Sequence, residues 1–308
     1  MPDELQENSP RETRCGFVAL IGAPNVGKST LVNALVGSKV TIVSKKVQTT
    51  RALIRGIVIE DNAQIILVDT PGIFAPKRRL DRAMVSTAWS GAHDADLVCA
   101  LIDARAGIDD EADAILSKLE SVNHPKVLVL NKIDLVPREK LLALAQKANE
   151  RLKFTQTFMV SALSSDGVDD LRRALARDVP PGPFHYPEDQ MSDAPMRHLA
   201  AEITREKIYR HLHQELPYQS TVETDSWQDR KDGSVRIEQT IFVERDSQRK
   251  IVLGKGGATI KAIGADSRKE IAEIVGQPVH LFLFVKVRDG WGDDPERYRE
   301  MGLEFPKE

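Results

Sequence analysis

Apolar and polar positions from Gly16 to about Asp178 switch repeatedly between two periods. Short runs dense in apolar and β-branched residues, Phe17–Ile21, Leu53–Ile59, Gln64–Val68, Leu97–Ile102, Lys126–Leu130 and Thr157–Val160, predict strands. Between most of them, apolar residues recur at helical spacing over Ser29–Val36, Leu80–Ala92, Asp110–Val122, Arg138–Leu152 and Gly167–Arg177. Strands alternating with helices predict an α/β domain with a doubly wound, mostly parallel sheet. The turn Glu60-Asp61-Asn62 is too short for a crossover and predicts one antiparallel hairpin.

The pattern then breaks. Residues 179–195 hold five prolines, at 180, 181, 183, 187 and 195, which neither a helix nor a central strand tolerates. Beyond this linker the order changes. A helix over Met196–Gln214 leads to strands at about Ser220–Trp227 and Ser234–Val243, joined by Lys231-Asp232-Gly233. Two short helices flank a glycine cluster, and a strand over Pro278–Val287 closes an α-β-β-α-α-β module, a second and smaller α+β domain. The expected organisation is a disordered tail over 1–14, an α/β domain over 15–179, a linker over 180–195, the small module over 196–290, and an extension over 291–308.

Composition changes this picture little. The chain of 308 residues is 41% hydrophobic and 29% charged, with a formal net charge of −3. No run reaches the roughly 18 apolar residues of a membrane span. The first residues are polar and carry Asp3, Glu4, Glu7 and Glu12, which fits neither a signal peptide nor a basic transit peptide. Cys15 and Cys99 each sit in an apolar run without partners at metal-ligand spacing, so buried thiols and a cytoplasmic setting are expected.

Candidate chemistry lies at the ends of the predicted strands. Gly22-Ala23-Pro24-Asn25-Val26-Gly27-Lys28-Ser29 follows one strand and opens a helix, the layout of a phosphate-binding P-loop. Its amides can curl around phosphate, Lys28 can reach the β- and γ-phosphates, and the Ser29 hydroxyl can ligate Mg²⁺. Asp69-Thr70-Pro71-Gly72 ends the strand Gln64–Val68 and places a carboxylate for Mg²⁺ and a Gly72 amide for the γ-phosphate. Asn131-Lys132-Ile133-Asp134 follows Lys126–Leu130. Guanine presents N1–H and N2–H₂ on one edge, and the Asp134 carboxylate accepts both, which selects GTP over ATP. Ser161-Ala162-Leu163 would complete the base pocket with a backbone N–H. In Gln48-Thr49-Thr50-Arg51, Thr50 is favoured over Thr49 as the threonine that closes over Mg²⁺ and the γ-phosphate. Lys28, Thr50 and Gly72 are the candidate catalytic groups; Ser29, Thr50 and Asp69 are the candidate metal ligands.

Taken with the proline linker and Ile251-Val252-Leu253-Gly254-Lys255-Gly256-Gly257, these motifs resemble the Era GTPases over about residues 14–302. The resemblance implies a P-loop GTPase domain joined to a KH domain. It further implies binding to small-subunit ribosomal RNA near its 3′ end, and a role in assembling that subunit as a monomer. It leaves open a peripheral association with the cytoplasmic face of the inner membrane. The position after Gly72, where Ras-like proteins carry a water-orienting glutamine, is Ile73; Era-like GTPases are apolar there, which implies slow intrinsic hydrolysis. Asn25 aligns with a P-loop asparagine that implies a potassium ion near the phosphates.

In the small module, Gly254, Lys255, Gly256 and Gly257 form the G-x-x-G loop that clamps RNA backbone in KH domains. Residues 245–269 hold seven bases (Arg245, Arg249, Lys250, Lys255, Lys261, Arg268, Lys269) against two acids (Asp246, Asp266). With the loop, Lys250 and Lys261 are the candidate RNA contacts. Ile251, Ile260, Ile263 and Ile271 are expected mostly in the core, and Trp227 and Trp291 as packing residues. The competing readings are a signalling GTPase with a protein or membrane effector, and an ATP-using enzyme.

Overall fold

The computed structural model describes residues 12–46, 48–212, 216–290, 294–300 and 302–306. The first domain is built on a six-stranded sheet of order β2-β3-β1-β4-β5-β6. The strands are β1 (Arg14–Ile21), β2 (Ile54–Glu60), β3 (Ala63–Asp69), β4 (Leu97–Asp103), β5 (Lys126–Asn131) and β6 (Gln156–Val160). β2 alone runs antiparallel, pairing Ile54 with Asp69 and Glu60 with Ala63, as the short turn requires.

The central strands are buried on both faces because helices cover both. α1 (Lys28–Val36) and α5 (Val168–Asp178) pack Leu31, Val32, Leu35, Leu171 and Leu175 on one side. α2 (Arg79–Asp94), α3 (Asp110–Leu119) and α4 (Arg138–Arg151) pack Ala88, Trp89, Leu116, Leu119, Leu141 and Leu144 on the other. β1 has β3 as its neighbour on one side and β4 on the other. The switch point therefore lies at the carboxyl end of β1, where ligands gather in open α/β sheets.

The tail expected over 1–14 ends sooner. Thr13 donates its hydroxyl to the Gly182 carbonyl at 2.9 Å, and Arg14 already belongs to β1, opposite Ala63. Residues 1–11 lie outside the described residues. The proline segment is likewise fastened to the sheet. The Ile57 amide donates to the Met191 carbonyl at 2.9 Å, Arg55 pairs with Asp193 at 2.8 Å, and the buried Gln64 side chain binds the His185 and Tyr186 backbone. β2 is an edge strand whose outward groups need partners, and a proline-rich chain covers it without adding a new edge. Gly16 is required here, because a Cβ would lie 2.7 Å from Pro180 Cδ.

The second module has α6 (Met196–His211), β7 (Ser220–Asp229), β8 (Val235–Val243), α7 (Asp246–Leu253), α8 (Ala258–Val275) and β9 (Val279–Val287). β8 pairs antiparallel with β7 and parallel with β9. The helices cover one face of this sheet through Ala201, Ile208, Val252, Ile263 and Ile271. Ile251 is 54% exposed rather than core, and Ile260 is only partly buried. Trp227 packs against the core; Trp291 and Gln214 lie outside the described residues.

Two further packings tie this module to the first domain. Ile42, in the loop between α1 and β2, is fully buried among Leu199, Ala200, Ile203, Val235, Ile237 and Ile271. From the extension, α9 (Pro295–Glu300) and the residues after it bury Tyr298 and Leu303 against Leu80, Ala83 and Met84 of α2. Both cysteines are buried and free. Among the described residues no helix is long and apolar enough to cross a membrane.

Candidate nucleotide-binding site

The loop between β1 and α1 has the backbone that phosphate binding needs. Asn25 and Gly27 have φ of 60° and 102°, which turns successive amides toward the start of α1. Gly27 cannot be replaced: a Cβ there would lie 2.3 Å from Asn131 Nδ2. Asn131, 1% exposed, donates to the Val26 carbonyl at 2.9 Å and accepts from the Lys132 and Ala162 amides. One side chain thus ties the Gly22–Ser29 loop, Asn131–Asp134 and Ser161–Leu163 together at the ends of β1, β5 and β6.

Lys28 is 6% exposed and donates to the Gly22 and Ala23 carbonyls at 3.1 and 3.0 Å. Burial lowers its pKa to about 8, against the opposing pull of the Asp69 carboxylate. A bound phosphate favours the charged form, so binding costs nothing extra below pH 8. Above it, affinity is expected to fall roughly tenfold per pH unit, as the fraction of charged Lys28 falls. Calorimetry in buffers of different ionisation enthalpy, read at pH 7 and 9, should show proton uptake only at the higher pH.

Asp69 is the centre of a hydroxyl cluster. Its Oδ2 accepts from Ser29 at 2.7 Å, from Thr41 at 2.9 Å and from Thr50 at 3.2 Å, and Ser29 and Thr50 are 2.9 Å apart. Thr49 instead bonds Ser44 and the Lys46 carbonyl. Asp69 is fully buried and its Oδ1 has no partner. Burial raises its pKa, against the hydroxyls and Lys28. An orphaned carboxylate oxygen beside two hydroxyls fits a hard cation such as Mg²⁺, the rest of whose shell would be phosphate and water. Among the described residues no group of three or more His, Cys, Asp or Glu side chains gathers elsewhere to hold a metal.

Thr41 is a residue the motifs did not reveal; the β-branched run Val40-Thr41-Ile42-Val43 inside a loop was the available signal. Asp103 is another. Lys132 donates to it at 2.6 Å and, at 2.5 Å, to the Asn25 carbonyl, a brace between P-loop and base loop. Burial works against ionisation of Asp103, but bonds from Arg105 and Lys132 prevail and hold its pKa at about 2. The Asn25 side chain is exposed at the rim.

The Asp69–Ile73 segment lies over the P-loop. Thr70 donates to the Leu20 carbonyl at 2.6 Å, the Ile73 amide donates to the Gly22 carbonyl at 3.1 Å, and a Cβ on Gly72 would meet Pro24 at 2.8 Å. Ile73 is 8% exposed and packs in the core, so an apolar side chain occupies the glutamine position. On the base side Asp134 is exposed in a short 3-10 turn, Ile133–Leu135. The Ser161 and Ala162 amides are already engaged, by the Asp166 carbonyl and Asn131.

The loop between α1 and β2 also reaches the second module. Lys39 pairs with Glu206 at 2.7 Å, and the Val43 amide donates to the same carboxylate at 3.2 Å. Arg51, 4% exposed, donates to the Ser220 carbonyl at 3.0 Å and to Tyr209 Oη at 3.3 Å. Arg205 donates to the Gln48 and Thr49 carbonyls from within α6.

In the second module, Gly254, Gly256 and Gly257 have φ of 72°, 61° and 78°. A Cβ on Gly254 would strike Thr259 at 2.2 Å, whereas Gly256 meets nothing, leaving the exposed Lys255-Gly256 tip free to approach a ligand. Beside the loop runs a groove of about 330 Å³ lined by Ile260, Lys261, Gly264 and Arg268 of α8 and Leu281 and Leu283 of β9. Lys250 does not line it; on α7 its ammonium stands 3.3 Å from Asp246.

Comparison with known proteins agrees with both halves. Residues 17–132 match a family described as 50S ribosome-binding GTPase, and residues 215–292 match the KH domain. Over the full length of both chains the protein is 84% identical to GTPase Era of Afipia carboxidovorans. It is 68% identical to GTPase Era of Sinorhizobium medicae over 96% of this chain and 95% of that one. Among solved structures, Era in complex with MgGDPNP and nucleotides 1506–1542 of 16S ribosomal RNA superimposes with a TM-score of 0.89 at 36% identity, covering 94% of this chain and 99% of that one. A variant of Aquifex aeolicus Era bound to GDP·AlF₄⁻ gives 0.88, with the same identity and coverage. A P-loop, the Asn131–Asp134 loop at the end of β5 and a G-x-x-G groove on one chain, with this identity from end to end, place the protein in the Era family of GTPases.

Proposed function

We propose that the protein is a GTP-hydrolysing switch that offers its KH groove to single-stranded RNA at the 3′ end of small-subunit ribosomal RNA, in the cytoplasm, during assembly of that subunit. The observation that carries the switch is the segment 39–51. On one side Thr41 and Thr50 bond the buried Asp69 carboxylate. On the other, Ile42 is buried against α6 and β8, and Arg51 donates to Ser220. The segment cannot change partners at Asp69 without disturbing its seat in the KH module. Two conformations of this segment would therefore be two presentations of the groove.

The reaction is GTP and water to GDP and phosphate. Lys28 and the P-loop amides bind and orient the phosphates; Ser29, Thr50 and Asp69 would hold Mg²⁺. When bound, that ion supplies charge neutralisation on the β- and γ-phosphate oxygens. The Gly72 amide is the candidate donor to the γ-phosphate. Ile73 offers no polar atom to the attacking water, which keeps the unassisted rate low. Asn25 is the residue toward which a potassium requirement points.

The test of RNA binding is the double substitution Lys255→Asp, Gly256→Asp. Asp tolerates the left-handed backbone of Gly256, where the space is open, so the fold should persist. Two carboxylates at a phosphate clamp should weaken retention of the 16S 3′ segment at least about a hundredfold at moderate salt, with GTP affinity unchanged. Equal RNA retention in wild type and variant, by filter binding, refutes the reading.

A further inference from the structure

β9 forms one wall of the groove, and its alternation leaves a second surface behind that wall. Leu281 and Leu283 face the groove. Phe282 and Phe284, between and beyond them, point to the opposite face of the sheet, where they are 43% and 49% exposed. The rings stand two residues apart, roughly 6.6 Å along the strand. They are flanked on that face by His280 and Lys286, both exposed. Across the register on β8, Arg236 lies opposite His280, with its guanidinium 4.9 Å from the Phe282 ring centroid. Beyond the strand, Arg288 stands 4.9 Å from the ring of Phe242.

Charge on this face is graded. Glu238 pairs with Arg236, and Asp225 accepts from Thr240, so the acids lie toward β7 and β8. The edge strand carries the aromatic rings, with Lys286 and, just beyond the strand, Arg288 at one end of the pair; Arg236 belongs to β8 and is already paired with Glu238. Exposed rings with cations at one end suit a stacking platform for unpaired bases. A protein partner would use the rings but would have no need of these two cations.

We propose that the outer face of β9 is a second single-strand RNA site, continuous with the groove. RNA leaving the groove passes over the rim of this edge strand and lays bases on Phe282 and Phe284, while Lys286 and Arg288 meet its phosphates. The groove alone takes about four nucleotides; the platform extends the footprint. This inference rests on the RNA-binding reading above and extends it to a site the G-x-x-G motif does not include.

The test is a length series of single-stranded oligonucleotides, from about four to about twelve nucleotides, cut from the 16S 3′ segment and titrated by fluorescence anisotropy against the full chain. In the wild type, affinity should rise with length beyond what the groove holds. Phe282→Ala with Phe284→Ala should cost at least about tenfold on the long strand and nothing on the short one, with the chain still folded at the assay temperature, because the rings are half exposed. Phe282→Trp with Phe284→Trp should restore the long-strand affinity. Lys286→Gln should reduce the salt dependence of the long strand alone.

If the alanine pair binds both lengths like wild type, or loses both equally, the platform does not exist. It is equally refuted if the pair keeps long-strand affinity but no longer sediments with small ribosomal subunits, which would make the face a protein contact. Failure of wild type to bind any length refutes the RNA-binding reading itself, an outcome distinct from these.

Discussion

Asp134→Asn is expected to lower GTP affinity by about two to four orders of magnitude and to raise affinity for xanthosine triphosphate. Guanine offers two donors, and the variant amide can accept from one while its own N–H₂ opposes the other. Two hydrogen bonds to a charged acceptor are worth about 3 to 6 kcal/mol together, and the mismatch leaves a polar group unpaired. Xanthine carries a carbonyl where guanine carries the amine, which restores donor and acceptor complementarity to the amide. The change should be confined to the base. Asp134 is exposed in its 3-10 turn, whereas the neighbouring buried Asn131 holds the P-loop and the Ala162 amide. The melting temperature should therefore stay within a degree or so, since exposed substitutions change stability little. Titration with fluorescent guanine and xanthine nucleotides measures the switch. An unchanged preference would remove Asp134 from the base site.

Ile42→Asp should open the joint between the two modules without unfolding either. Ile42 is fully buried, but it belongs to a loop of the first domain and contributes to neither face of that domain's sheet. A carboxylate among Leu199, Ile203, Ile237 and Ile271 has no partner. Truncation to alanine alone costs about 2 to 5 kcal/mol at such sites, and an unpaired charge costs more. The least expensive response is to withdraw the loop, which also frees Arg51 from Ser220 and Lys39 from Glu206. Expected results are protease cleavage within residues 39–51, a larger radius of gyration in solution scattering, and retained GTP binding. RNA affinity should no longer differ between the GTP and GDP states. Ile42→Val, which costs about 1 kcal/mol, should behave as wild type. An RNA affinity that still follows the bound nucleotide in Ile42→Asp would show that coupling runs by another route.

These residues also show what sequence can and cannot carry. Gly22–Ser29, Asp69–Gly72 and Asn131–Asp134 are legible as motifs because each is a short contiguous stretch at a strand end, and the structure brings the three together through Asn131 and Ser29. The strands and helices were legible for a similar reason: burial on one face or both imprints a local period. Thr50 was separable from Thr49 only weakly by sequence, since neighbours on a loop differ in direction rather than type. The structure sends Thr50 to Asp69 and Thr49 to Ser44. Asp103 carries no motif at all; it acquires a role because β4 lies beside β5 and brings it to Lys132.

By itself, then, the sequence determined the order of elements, the P-loop motif, the Asn131–Asp134 motif and the presence of a glycine loop in a separate small module. It also carried the family. Tertiary structure decided what those parts do to one another. Ile42 reads as an apolar residue in a polar loop until α6 and β8 close around it. The proline segment reads as a free linker until the exposed edge of β2 claims it. Phe282 and Phe284 lie in an apolar strand, and they stay in solvent because the helices of this module cover only the other face of its sheet. The physical reason is common to all three. Local pattern encodes whether a residue prefers burial, but which surface buries it, or fails to, depends on elements far away in the chain.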